Sequence, residues 1–556
     1  MDASMLTAIK RNQTLYAWNA TKDNTKHEQF NEKSNIQYIE RTQGCLQYYF
    51  DENLEESNPC PTRPPQEPYK VNTMILFALE QYLLNDATGN YGPTKCSRLN
   101  YIWFLTVTGG YNWTQNRSAI DGIKDTWDWT IHYPLQSDRD VALFLYQVLL
   151  YTMPIFIPTY DVIGLTEIVT QILDISPQQL QSLLPDVLES GNYTLWQSKW
   201  NTWHTYRDND GASIVGNPAN APTSTNLPNY TSTLHVYDTT QDPQTFTDPT
   251  KWTPLQIHSD ASANFSTPQK YYTYSWHDVS TACVIQDSAI EAISNTYFPT
   301  DRIQDMSTML TKTNDLITRE DWKMTAEFWS GGPFTISPPG MFIWLWKEYM
   351  KLNSGISLNT FFYSGLDLSV QLFESARIAW DIKKNHMEAR PIQEVRNLFR
   401  SENMIAYDGT NITGNEWLPY QVPTFVTPPF ADFPSGHSTF SQIFANVMTD
   451  WFGQYMPNRR VTKTNQHIFC ANLPSTVTEP YHWFTFSTGS SLIQPGIVPS
   501  APFTIGKDWQ TWQDLANNCG LSRQYGGIHG DSANGGGKAL ANALHSTILS
   551  TWPIRK

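Results

Sequence analysis

The chain has 556 residues, 40% of them hydrophobic and 13% aromatic, which is enough to bury more than one core and excludes a disordered protein. Its formal net charge of −15 excludes a general attraction to nucleic acid or to an anionic membrane surface. An anion site in such a molecule has to gather its own cations, against the field of the whole.

In chain order, Met1-Asp2-Ala3-Ser4 shows no basic segment leading into an apolar run, so no signal peptide is expected and no compartment is assigned. Residues 1–135 mix helical patches with loops: 59–68 is a proline-rich connection and 71–84 has helical spacing. The most apolar run, 141–157, carries Tyr146, Gln147, Tyr151 and Pro154 and is shorter than the roughly 20 residues a membrane span needs. It reads as a buried core helix, and a soluble chain is expected. At 176–179, Ser-Pro-Gln-Gln predicts an N-cap followed by proline at the first helical position.

From 191 to about 270 the apolar periodicity disappears under Asn, Thr, Ser and Pro, which predicts an ordered insertion or long loop region. Its aromatic residues (Trp196, Trp200, Trp203, Tyr206, Tyr230, Trp252) are expected to pack on a surface rather than to line a channel. Helical patterns return at 280–293, 306–317, 321–329, 341–352 and 359–384. The expected class is all-α: two helical bundles with long loop insertions and the active site in the C-terminal bundle. The expected division is 1–190, an insertion at 191–270, and 271–556. The six cysteines have no metal-ligand spacing, and Asn-x-Ser/Thr triplets such as those at Asn12, Asn112 and Asn411 arise by chance in so Asn- and Thr-rich a chain.

Three segments of the last third carry chemistry. Lys383 and Arg390 are two helical turns apart, which on one helix puts both on the same face about 10 Å apart, able to grip one small anion. Pro391 disfavours helical geometry at Arg390 and suits the start of a helix over 391–395, so Arg390 sits at a joint. Downstream, Ser435 can cap a helix whose apolar positions, from Phe440 to Phe452, recur at helical spacing until Gly453. The free amides and positive dipole end then lie at Ser435, Gly436 and His437, a seat for an oxyanion. In the third segment Arg523 and His529 flank Tyr525-Gly526-Gly527-Ile528, whose glycines permit a tight turn that brings both side chains to one point. Taken together, three fixed cations, neutral donors and two histidines form a set for holding a tetrahedral oxyanion.

These residues resemble the pattern Lys-x6-Arg-Pro, Pro-Ser-Gly-His, Ser-Arg-x5-His of vanadium-dependent haloperoxidases and the type 2 phosphatidic-acid phosphatase superfamily. Flanking segments (326–333, 338–340, 379–383, 428–430 and 525–529) look like the chloroperoxidase-like branch, with the specific match covering about 320–552. The resemblance implies a vanadate cofactor hydrogen-bonded by Lys383, Arg390, Ser435, Gly436 and Arg523. His529 would be the axial metal ligand and His437 would face the opposite apical oxygen. It implies hydrogen peroxide, a halide and a small organic acceptor as partners, His437 as proton handler, Lys383 as polarising cation, and Trp380 and Phe430 on the halide side. A homo-oligomer remains open. After His529, Gly530-Asp531-Ser532-Ala533-Asn534 does not place an aspartate four residues on, where the phosphatases commonly have one; Asp531 is the available substitute. The competing readings are a phosphatase with His529 as nucleophile and a structural or interaction protein with a relic anion site.

Overall fold

The computed structural model describes residues 70–89, 91–115, 137–157, 160–188, 191–217, 232–238, 240–256, 268–283, 295–333, 335–353, 355–456, 484–486, 491–494, 503–506 and 509–551. The proline-rich connection at 59–68, Asn12, Tyr230, Cys45, Cys60 and Cys470 lie outside them. The helices run α1 (Val71–Gly89), α2 (Pro93–Thr114), α3 (Asp138–Phe156), α4 (Val162–Leu173), α5 (Pro177–Leu188), α6 (Gly191–Asp208) and α7 (Ala212–Val215). They continue with α8 (Arg302–Asp315), α9 (Glu320–Phe328), α10 (Ser337–Leu352), α11 (Leu358–His386), α12 (Pro391–Leu398), α13 (Gly436–Phe452), α14 (Trp512–Tyr525) and α15 (Asp531–Thr551). Among the described residues, strands form only three two-stranded pairs, one parallel (Leu234–His235 with Leu255–Gln256) and two antiparallel. The fold is all-α, and no described helix is long and apolar enough to cross a membrane.

The described residues divide into two compact units, those of 70–82 with 137–196 and those of 83–115 with 197–551. In the first, the apolar run at 141–157 is α3, which starts three residues earlier because Ser137 accepts from the Asp140 amide at 3.2 Å and Asp138 and Asp140 complement the dipole. Residues 141–149 are buried all round, as a core helix should be. Helix α5 begins as expected: Ser176 accepts from the Gln179 amide at 3.2 Å while the Gln179 side chain accepts from the Ser176 amide at 2.8 Å.

In the second unit α11 is the central element, packed against α2, α13 and α15. Ser357 caps it, Lys383, Lys384 and His386 occupy its last turn, and Met387, in the left-handed conformation (φ 52°), ends it. Helix α13 packs in turn on α14 and α15, and α9 on α14. Asn112 is buried in α2, so that sequon is inaccessible.

Two sequence expectations are corrected. Residues 191–208 are not loop but α6: Trp196, Trp200, Trp203 and Arg207 recur at helical spacing and form a buried stripe, which the surrounding Asn, Thr and Ser residues obscure in the sequence. Residues 280–283 are not helical, because the buried Glu374 carboxylate captures the Thr281 hydroxyl at 2.8 Å and the Ala282 amide; 284–293 lie outside the described residues. The other helices of the C-terminal half match their expected positions to within a few residues.

Candidate functional site: a buried anion cradle

Lys383 projects from the last turn of α11, but Arg390 does not share its helix, which corrects the single-face reading. The chain leaves α11 at Met387, runs extended through Ala389, whose amide bonds the Thr250 carbonyl at 2.9 Å, and re-enters helix at Pro391 with Arg390 as N-cap (φ −77°, ψ 154°). Proline at 391 is what forces that break. The apolar face of α12 (Ile392, Val395) is seated among Met306, Met309 and Leu310 of α8 with Trp417 and Val426, which fixes where Arg390 starts.

Both cations converge on the segment 430–432. Lys383 Nζ donates to the carbonyls of Ala431 and Asp432, each at 2.8 Å, and lies 5.2 Å from the centroid of the Phe430 ring. Arg390 Nε donates to the Phe430 carbonyl at 2.6 Å, and its Nη1 donates to the Ile528 carbonyl at 2.9 Å and to Asp432 Oδ1 at 3.3 Å. Trp380 and Phe430 touch (centroids 4.7 Å, 52° between planes), and the Trp380 N–H is taken by the Tyr272 carbonyl at 3.1 Å.

Ser435 caps α13, accepting from the Ser438 amide at 3.3 Å, with the Ser438 hydroxyl at 3.0 Å, itself bonded to Asn534 at 2.8 Å. Gly436 opens the helix, 3.8 Å separating an ideal Cβ from the Trp380 ring. Arg523 lies in the last turn of α14 and donates from Nη1 to the Trp329 carbonyl at 2.8 Å. The chain then reverses through Gly526 and Gly527 (φ 66°), the latter close against Trp417, where only glycine fits without strain. That turn brings His529 within 3.4–3.5 Å of Arg390 Nη1. Lys383, Ser435, Arg390, Arg523, His529 and His437 are all buried, each at most 8% exposed.

The carboxylate that orients His529 is not Asp531, which lies half exposed and bonds Gln524 and Lys312. It is Asp432, whose Oδ1 pairs with His529 Nδ1 and whose Oδ2 accepts from the Gly530 amide at 3.1 Å. A carboxylate on Nδ1 places the proton there and leaves Nε2 as the lone-pair nitrogen, which faces Arg390 Nη1 at 3.4 Å. Sequence reasoning missed Asp432 because nothing in its spacing to His529, almost a hundred residues away, points to the pairing.

Burial, then the charges of Arg523 and His529, holds His437 well below the usual histidine range; burial, then Arg390, Lys383 and Arg523, does the same for His529. Arg390 and Arg523 are pushed down to about 10, chiefly by burial, and Lys383 is held well below the usual lysine range by burial and Arg390. Mutual repulsion of this kind is what a bound anion relieves. Three buried nitrogens, Arg390 Nη2, Arg523 Nε and His437 Nε2, have no partner among the described residues. An unsatisfied buried polar group costs about 1–3 kcal/mol, and the two guanidinium donors among the three, on Arg390 and Arg523, describe a cradle suited to an oxyanion.

Comparisons with known proteins bear on the fold. Residues 366–550 match the family model for the VCPO second helical-bundle domain. A search of curated proteins finds no match. Among solved structures, an apo-type bacterial vanadium-dependent chloroperoxidase superposes with a TM-score of 0.53 at 14% identity, covering 83% of this chain and 95% of that one. Its holo-type counterpart gives 0.53 at 14% over 83% and 93%. A bacterial vanadium-dependent iodoperoxidase gives 0.50 at 13% over 86% and 96%. The chain therefore has a vanadium-haloperoxidase-like fold, all-α in a two-bundle layout, with the cradle inside the part that matches the second helical-bundle domain.

Proposed function

We propose that this chain is a vanadate-dependent haloperoxidase, using hydrogen peroxide to oxidise halide to hypohalous acid or its equivalent, for delivery to a small organic acceptor. The observation that carries this reading is the trio of unpartnered buried nitrogens on Arg390, Arg523 and His437, set beside a histidine whose Nδ1 is held by the Asp432 carboxylate. Such a set fits a tetrahedral oxyanion with a metal at its centre: Lys383, Arg390, Arg523, Ser435 and the Gly436 amide would hold the oxygens and His529 Nε2 the metal. Vanadate, when bound, supplies a Lewis-acidic centre that activates peroxide toward a nucleophilic halide.

The chain's own residues do the rest. Lys383 has two of its three protons on carbonyls, which fixes the ammonium and leaves one donor for an oxygen. His437, kept neutral, accepts a proton from peroxide at Nε2. Trp380 and Phe430, with the indole N–H already occupied, set their rings 5.8 and 5.2 Å from Lys383 Nζ and keep its surroundings apolar, which suits a weakly hydrated halide. All of these groups lie in 271–556, the part assigned to catalysis.

One observation favours a second reading. The Asp432–His529 pair would equally activate His529 as a nucleophile on phosphorus, with His437 protonating the leaving group. The two separate in one assay: protein loaded with orthovanadate is given peroxide, halide and an activated dione, and vanadate-free protein is given a phosphate monoester. Halogenation dependent on vanadate supports the first reading; phosphate release lost in His529→Ala, with no halogenation under chloride, bromide or iodide, replaces it with the second.

A further inference from the structure

His437 Nε2 is closed off from solvent with no partner among the described residues, and Gly331, in the connection that leaves α9, passes beside it. An ideal Cβ built on Gly331 would stand 3.2 Å from that nitrogen and 3.2 Å from the Pro338 ring. The backbone of residue 331 is therefore a wall directly over the nitrogen, and Gly331 itself is half-buried, with solvent on its other side.

The turn is anchored on both flanks of this residue. Upstream, the Trp329 carbonyl takes Arg523 Nη1 at 2.8 Å and is within reach of His437; downstream, the Thr335 hydroxyl donates to the Gly332 carbonyl at 2.8 Å. Gly331 makes no hydrogen bond among the described residues and sits at φ 55°, in the left-handed region that glycine enters freely. Gly332 is different: it has an ordinary φ, and a Cβ there would meet only Phe425 at 3.6 Å.

We propose that Gly331 sets the aperture over His437 Nε2 and is the residue that determines which molecules, by size, reach that nitrogen. The role of the nitrogen as proton acceptor for peroxide rests on the haloperoxidase reading; the aperture itself does not. With no side chain, residue 331 can swing within its two anchors by rotation of its own φ and ψ, uncovering a gap of peroxide size. Any Cβ fills the space between His437 and Pro338, both held by helices, and closes the gap.

The first test needs no cofactor and no activity. Hydrogen–deuterium exchange at the imidazole Cε1 of each histidine, followed by mass spectrometry in vanadate-free protein, reports how D2O reaches His437, with His277, whose side chain is 25% exposed, as internal reference. Gly331→Ala is expected to slow exchange at His437 about five-fold relative to His277, and Gly331→Asn, which tolerates the left-handed conformation, to slow it at least as much. Gly332→Ala is expected to leave it unchanged. Slowing in the alanine variant alone would assign the effect to backbone strain and overturn the proposal, as would unchanged or faster exchange in both variants. The second test uses loaded protein: Gly331→Ala is expected to raise KM for hydrogen peroxide about ten-fold with orthovanadate affinity within two-fold of wild type. A parallel fall in orthovanadate affinity would show that the turn merely supports Arg523, and would overturn the proposal. If wild type does not halogenate, the functional reading fails and the exchange result still decides the aperture.

Discussion

Two buried polar clusters stand close together in sequence and behave oppositely. Around Glu327 every strong group is met: the carboxylate accepts from the Tyr420 and Ser491 hydroxyls and from the Leu492 amide, and it is a closed node tying 491–494 to α9. Around Arg390 and Arg523 guanidinium donors are left over, and His437 Nε2 beside them has no partner among the described residues. Both clusters are buried and both hold displaced pKa values, burial pushing Glu327 up and holding His437 down. Burial and pKa displacement therefore do not by themselves mark function; the difference is saturation. A saturated cluster is a structural staple, whereas two guanidinium donors left over in one cationic cluster are groups that a bound anion would complete.

Substitutions can break this contrast in order of effect. Arg523→Ala removes a fixed charge and an unpartnered donor, and orthovanadate affinity is expected to fall about 10²–10³-fold by equilibrium titration. A loss under three-fold would mean that the cradle is not the anion site. Asp432→Asn keeps the shape but removes the carboxylate that orients His529, so orthovanadate affinity should drop about 10–100-fold with the fold retained. Tyr420→Phe, on the saturated side, should lower unfolding stability by about 1–2 kcal/mol in denaturant titrations and leave orthovanadate affinity within two-fold. If it weakened the anion as much as Asp432→Asn does, the distinction between staple and cradle would collapse.

A separate expectation concerns pH. Behind the cradle Arg302 pairs with Glu394, and burial raises Glu394 to about 7 despite that pairing. The folded state then holds a proton that the unfolded chain has released, so this contribution is complete below pH 4.5 and is lost as pH rises through 7. The loss is on the order of 3 kcal/mol. Denaturation midpoints compared at pH 5 and pH 8 should show the decline in wild type and a flatter profile in Glu394→Gln. An equal slope in both would remove Glu394 from the account.

What the sequence revealed follows from the range over which each signal acts. Helix caps and apolar periodicity are local, so α3, α5, α11 and α13 were legible, Ser435 and Gly453 included. Trp196, Trp200 and Trp203 also carried a helical period, but low-propensity neighbours hid it. The break between Lys383 and Arg390 was half visible: Pro391 announced it, yet the equal spacing suggested one face, and the left-handed Met387 has no sequence mark. Asp432 and Glu374 were illegible because each acts on a partner about a hundred residues away, and only the fold brings the two together. Gly331 shows the same limit: a glycine pair signals a turn, but not that one of the two lies over His437.

The most direct test of the central claim is the vanadium content of protein dialysed after loading with orthovanadate, measured by elemental analysis for wild type and His529→Ala. A cradle completed by vanadate predicts about one vanadium per wild-type chain and almost none in the variant. Equal retention by the two, or none by wild type, would contradict it.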